Sequence, residues 1–159
     1  MKPGGEMKLY IETSVPNMLF HDDAPDKQQV TKVFFPWLQI CPRQLCVSPL
    51  VEQELDRAPE PRRRQLRAAL LALPLTSLPI TPAAEDLAEA GVTAGAIPRR
   101  FEDDALHLAI AIGHGVDIVV SWNMKHLVNP RRVAQINAVA IRYGYDPIRV
   151  QTPQEVMGL

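Results

Sequence analysis

The chain has 159 residues and a mass of 17.7 kDa, with 47% hydrophobic and 22% charged residues. That length and balance suit one domain around one core and exclude an intrinsically disordered chain. A net charge of -1 and a pI near 6.4 exclude whole-molecule attraction to a polyanion, so any nucleic-acid contact must come from local patches.

The opening MKPGGEMKLY has no apolar core of signal-peptide type, so a cytoplasmic location is expected; residues 1–6 read as a lead-in, residues 7–159 as the domain, and Met7 as an alternative start. The longest apolar stretch, residues 105–120, is broken by His107, His114 and Asp117 and falls short of the ~20 residues a spanning helix requires, so no membrane partner is expected. Cys41 and Cys46 are the only cysteines, too few for a disulfide framework or a four-ligand zinc site, and read as reduced, inert thiols.

KLYI is the first strand, and ETSVPNMLF after it reads as a loop with Pro16 and Asn17 as turn residues. A helix capped by Asp22 or Asp23 is predicted over DKQQVTKVFFPWLQIC, kinked or ended by Pro36. QLCVS is a short buried strand, and Ser48-Pro49 has the pattern of an N-cap followed by proline at the first helical position, opening a helix through VEQELDRA. PRRRQLRAALLAL is an amphipathic helix with an arginine-rich outer face, and LTSLPIT, punctuated by prolines, is a connector or edge strand. A short helix over residues 82–89 ends at Gly91, followed by a GVTAGAIPRR loop. Residues 100–113 repeat apolar positions at helical spacing, and DIVVSW is the second strong strand. A short helix NMKHLV, a loop at Asn129-Pro130, a helix RRVAQINAVAIRYG, a strand IRV and a C-terminal helical turn complete the chain. Strands alternating with helices predict an α/β sandwich with a short, mostly parallel sheet.

In such a fold the carboxyl ends of neighbouring parallel strands open into one crevice. Glu12 and Asn123 follow the two strong strands, while Glu54 and Asp104 lie on helices that can face them. The crevice would be acidic, a poor place for a bare phosphodiester but a good one for a divalent cation that then binds a phosphodiester. Three carboxylates ~4 Å apart would repel by about 4 kcal/mol per pair at an effective dielectric of 20, which invites a cation or a proton. Basic candidates are Arg62, Arg63, Arg64 and Arg67, read as a solvated helix face, and two groups flanking the crevice, Arg99 with Arg100 and Lys125 with Arg131 and Arg132.

LYIETS, VEQEL, DDALHLAIA and VVSWNMKHL, in that order and over residues 8–150, resemble the motifs of the PIN-domain family, and among its members the VapC-like toxins. The resemblance implies a three-layer α/β/α sandwich and an Mg²⁺- or Mn²⁺-dependent ribonuclease, a hydrolase of RNA phosphodiester bonds, commonly the toxin of a type II toxin–antitoxin module. By position, Glu12 stands where the family's first aspartate is usual, Glu54 matches its helix glutamate, Asp104 its third acid and Asn123 its fourth. Glu12, Glu54 and Asp104 are the implied metal ligands. Asn123 completes the catalytic set, and Thr13, Ser14, Arg99, Arg100, Ser121 and Lys125 are candidate substrate contacts. Two departures weaken the site: Glu12 is one methylene longer than aspartate, and Asn123 is neutral. A water deprotonated with help from Asp104 or Glu12 would attack phosphorus in line while one tightly held cation offsets the charge.

Other polar residues have blander readings. Asp103 points about 100° from Asp104 and reads as a solvent residue. His107, one turn beyond Asp104, could bond within the crevice, although a lone helical histidine is more often a core or surface group. Trp122 and the Phe34, Phe35, Trp37 cluster read as core, with part of VFFPWLQI left as an apolar patch for an antitoxin or a second subunit of a homodimer. The competing functional reading is a catalytically silent PIN-like module that binds RNA or protein. A nucleotide-binding domain is disfavoured because no glycine-rich phosphate loop follows either strong strand.

Overall fold

A computed structural model describes residues 6–158; the sequence-expected lead-in, apart from the exposed Glu6, lies outside the described residues. In chain order the elements are β1 (Lys8–Ile11), α1 (Ser14–Met18), α2 (Pro25–Gln39), β2 (Gln44–Val47), α3 (Pro49–Leu55), α4 (Arg62–Leu71), β3 (Leu75–Ser77) and α5 (Pro82–Thr93). A 3₁₀ turn (Arg99–Phe101), α6 (Glu102–Gly113), β4 (Ile118–Val120), α7 (Pro130–Arg142), β5 (Arg149–Gln151) and α8 (Pro153–Met157) follow.

The five strands form one parallel sheet in the order β3-β2-β1-β4-β5, flanked by helices as an α/β/α sandwich. The chain steps outward from β1 through β2 to β3, then crosses to the other side for β4 and β5. Strand order therefore reverses between β1 and β4, and a crevice opens beyond their carboxyl ends. Register places Ile11 beside Val120, so Glu12 and Ser121 leave the sheet side by side, with Glu12 N–H donating to Val120 O (3.1 Å). Leu9, Tyr10 and Ile11 are fully buried on the central strand, as are Leu108, Ala109 and Ile110 of α6. Burying aliphatic side chains of this size contributes about 1.5–3 kcal/mol each, so the strand that delivers Glu12 is among the best anchored parts of the fold.

Several elements differ from the sequence reading. The ETSVPNMLF loop contains α1, because Pro16 falls in its first turn, where a missing N–H breaks no intrahelical bond. Neither Asp22 nor Asp23 caps α2; it begins at Pro25, and Asp22 instead accepts from Gln28 Nε2 (3.0 Å). The helix also runs through Pro36, which sits on the exposed side with Lys32 one turn before it, where water can take the released carbonyl. Gly91 does not end α5 but lies buried within it: a β-carbon there would overlap Ile136 Cδ1 of α7, so glycine permits this close approach. NMKHLV is a turn rather than a helix, closed by Leu127 and Val128 N–H donating to Asn123 O (3.0 and 2.8 Å). The chain must leave that turn at once to enter α7, whose first turn is capped by Asn129 Oδ1 accepting from Arg132 N (3.2 Å).

Trp122, Phe34 and Phe35 are buried, and Trp122 Nε1 donates to Thr31 Oγ1 (2.9 Å). The exposed apolar residues of the VFFPWLQI segment are Val33 and Ile40. Cys41 and Cys46 are free thiols. No helix among the described residues is long and apolar enough to cross a membrane.

Candidate active site

Each acidic candidate is held by neighbours the local fold supplies. Glu12, just past β1, is only 5% exposed, and its Oε1 accepts from Ser14 Oγ (2.5 Å) and Ser121 Oγ (2.6 Å). Ser14 opens α1 and also accepts from Trp122 N (2.8 Å); Ser121 follows β4 and accepts from Asn123 N (2.9 Å). Two strand-end loops are thereby tied through one carboxylate.

Glu54, near the end of α3, is half-buried. Its Oε1 accepts from Thr13 Oγ1 (2.6 Å) and from His107 Nε2 (2.5 Å). His107 is fully buried, and its Nδ1 lies 2.7 Å from the Tyr10 hydroxyl, which lies 2.7 Å from Ser48 Oγ. Burial raises the Glu54 carboxyl, but the His107 hydrogen bond and charge, aided by Thr13, outweigh it and hold the group below the usual carboxylate range. Burial lowers His107, yet the Glu54 hydrogen bond and the charges of Glu12, Glu54 and Asp104 carry it above its ordinary value. The two shifts agree on an imidazolium–carboxylate pair. Burial also pushes the Tyr10 phenol upward, keeping it neutral. One assignment satisfies every atom: His107 donates from both nitrogens, to Glu54 and to the phenol oxygen, and the phenol donates to Ser48.

Asp104, in the first turn of α6, is pushed up to about 6 by burial first, then by Glu12 and Glu54, with His107 and Asn123 opposing. Asn123 Nδ2 lies 3.4 Å from Asp104 Oδ2, while Asn123 Oδ1 accepts from His126 N (3.1 Å). The amide thus closes its own turn and presents a donor to Asp104, where a carboxylate would repel. Glu12, Glu54, Asp104 and Asn123 therefore meet at the β1/β4 switch point, within electrostatic reach of one another.

Among the described residues, no three His, Cys, Asp or Glu side chains close tightly enough on one point to cage an ion. The donor set nevertheless suits Mg²⁺ or Mn²⁺: hard carboxylate oxygens, with Oε2 of both Glu12 and Glu54 free of hydrogen bonds among the described residues. Mg²⁺ keeps several waters and takes one or two carboxylates plus substrate phosphate, and so needs no complete protein cage.

The candidate substrate contacts divide. Thr13, Ser14 and Ser121 do not face outward; their hydroxyls are engaged by Glu54 and Glu12, and Ser121 is fully buried. Arg99 pairs with Glu89 of α5 through both terminal nitrogens (2.5 and 2.7 Å). Arg100 stacks over Phe101 at 4.9 Å, and Phe101 stacks on His126 at 3.8 Å. Burial lowers His126, as do the charges of Arg132, Lys125 and Arg100, so these three cations gather beside the Asn123 turn. Arg63 and Arg64 pair with Glu60 and Arg67 with Asp56, as suits a solvated face, while Arg62 covers Phe20. Asp103 lines a groove between α5 and α6 with Glu85 and Leu106.

His107, read as a crevice bond or a core group, is both buried and bonded to Glu54, while Tyr10 and Ser48 were not singled out as site residues from the sequence. A signal for Tyr10 existed: a tyrosine on a buried central strand must find a partner for its hydroxyl.

No family model matches the sequence, and no curated protein matches it. Solved structures do. The DNA-bound VapBC of Salmonella typhimurium matches with a TM-score of 0.58 at 14% identity, over 92% of this chain and 98% of that one. Mycobacterium tuberculosis VapC20, a sarcin-ricin loop cleaving toxin, matches with a TM-score of 0.54 at 17% identity, over 74% of this chain and 92% of that one. VapBC2 of Rickettsia felis, bound to a DNA fragment from its promoter, matches with a TM-score of 0.52 at 11% identity, over 92% and 98%. Likeness at these identities establishes architecture: the chain has the PIN-type fold of the VapC proteins.

Proposed function

We propose that this protein is a divalent-metal-dependent endoribonuclease, the toxin of a type II toxin–antitoxin module. The observation that carries the reading is the meeting of Glu12, Glu54 and Asp104 at the β1/β4 switch point, expressed in an Asp104 carboxyl raised to about 6 by burial and by the other two acids. The VapBC complexes of like fold support an antitoxin as partner, and the RNA-cleaving VapC20 supports RNA as substrate.

Glu12, Glu54 and Asp104 would hold Mg²⁺ or Mn²⁺. The ion, when bound, supplies Lewis-acid stabilisation of charge on the phosphoryl oxygens. Asp104 would accept a proton from the attacking water. Asn123 fixes its orientation. Arg100, Lys125 and Arg132 attract the RNA backbone at the crevice mouth, supplying locally what a net charge of -1 does not. The second reading, a silent RNA- or protein-binding module, draws on the neutral Asn123 and the lack of a three-ligand cage among the described residues.

Purified protein incubated with mixed RNA and Mn²⁺ is expected to cleave it. EDTA, Glu54→Gln or Asp104→Asn should each abolish cleavage. Identical RNA traces from all three proteins would transfer the assignment to the binding module.

A further inference from the structure

The residues behind Glu54 form a closed circuit. Ser48 opens α3 and Glu54 lies near its end; between them run Tyr10 of β1 and His107 of α6, through contacts of 2.7, 2.7 and 2.5 Å. Ser48 occupies the N-cap position of α3 yet makes no side-chain cap bond. Its hydroxyl serves Tyr10 instead, so the circuit replaces a common local role of that residue. His107 lies three residues after Asp104, on the same face of α6. One imidazole therefore joins the helix carrying Asp104 to the helix carrying Glu54, backed by a tyrosine with no exposed surface.

Both hydrogen bonds to Glu54, from His107 and Thr13, fall on Oε1. A carboxylate held by one oxygen has the other left for a ligand, and its rotation is restrained. We propose that His107 is a positioning residue, anchored by Tyr10, that holds Glu54 by Oε1 so that Oε2 is the oxygen offered to a divalent cation. The inference rests on the metal-dependent reading above. A histidine that merely filled the core would satisfy its nitrogens without touching a functional carboxylate. Here one nitrogen is committed to Glu54 and the other to a residue that orients the ring.

The test is Mn²⁺ affinity, read by electron paramagnetic resonance of free Mn²⁺ during titration of full-length protein without RNA, with thermal melts of each protein beside it. His107→Leu is expected to weaken Mn²⁺ binding about 10- to 100-fold, the range seen when a group orienting a metal ligand is lost. His107→Gln, which retains an N–H donor at similar reach, should recover binding to within about threefold of the wild type, a rescue that a packing role does not predict. Tyr10→Phe removes one oxygen and leaves the ring in place; it should weaken binding about three- to tenfold by freeing the imidazole. Wild-type affinity in folded His107→Leu and Tyr10→Phe, with the unchanged protein binding Mn²⁺, would overturn the positioning role alone. If His107→Leu fails to fold, Tyr10→Phe decides by itself. An unchanged protein that binds no Mn²⁺ at millimolar concentration overturns both this inference and the nuclease reading.

Discussion

Asp104→Asn should stabilise the fold at neutral pH while removing a proposed metal ligand. The carboxyl is raised from an ordinary 3.8 to about 6, by burial first and then by Glu12 and Glu54. That shift corresponds to about 3 kcal/mol between protonation states, reduced to about 1–2 kcal/mol because the group is only partly buried. The sign follows from linkage. Above about pH 6 the folded chain carries Asp104 ionised among like charges, and the penalty is fully present; as pH falls from 6 toward 3.8, the folded chain takes up the proton before the unfolded chain does and the penalty disappears. Asparagine carries no such charge and keeps an oxygen for the Asn123 amide.

By calorimetry without divalent ions, the variant should therefore melt about 2–8 °C above the wild type at pH 7.5 and within about 1 °C of it at pH 4, given roughly 2–4 °C per kcal/mol in a domain this size. His107, raised by its acidic neighbours, contributes stability at low pH that is lost as pH rises through its folded value, and Glu54, lowered, contributes stability lost in acid. Both are present in the two proteins and largely cancel in the difference. Mn²⁺ at about 100 times its dissociation constant should raise the wild-type stability by about 2.7 kcal/mol, and the variant much less. A variant less stable than wild type at pH 7.5, or one with the same advantage at pH 4, would refute the repulsion argument.

Gly91→Ala should destabilise the protein by about 1 kcal/mol in urea unfolding, overpacking against Ile136 exceeding the gain in helix propensity, and Ile136→Val, which deletes the obstructing methyl, should restore it. Lys125→Ala and Arg100→Ala should each weaken binding of single-stranded RNA and reduce the slope of log K against log salt by about 0.7. Arg67→Ala should leave that slope unchanged, because Arg67 is paired with Asp56 (2.7 Å) on α4.

The parallel sheet was legible because it rests on local signals, apolar runs such as KLYI and DIVVSW with Glu12 and Asn123 beyond them, while the grouping with Glu54 and Asp104, which lie on helices, leaned on the motif resemblance. Less legible was anything decided by a contact distant in sequence. Gly91 looks like a helix stop until Ile136 is seen against it. The pairing of Arg99 with Glu89, ten residues earlier, could not be read from the chain. The bonds of Thr13 to Glu54 and of Ser14 and Ser121 to Glu12 were not readable either, since hydroxyl spacing says nothing of which carboxylate lies within reach. Pro16 and Pro36 fall where a helix tolerates proline: Pro16 in a first turn, where the missing N–H breaks no intrahelical bond, and Pro36 on the exposed side of α2.

The two departures from a four-acid pattern make sense together. Glu12 has one more rotatable bond than aspartate and would lose more side-chain entropy on being fixed, but Ser14 and Ser121 restrain its Oε1 from two loops. Asn123 withholds a charge and instead places an N–H beside Asp104, whose carboxyl is raised by burial and by Glu12 and Glu54. Glu54 has His107 and Thr13. Each carboxylate thus carries its own donor, and no two acids must share one. That arrangement lets three acidic groups fold into one crevice, and it leaves Oε2 of both glutamates uncommitted, as the proposed metal-dependent reading requires. A fourth carboxylate at position 123 would add a ligand but replace the donor facing Asp104 with a like charge, so the neutral amide lowers the cost of assembling the site.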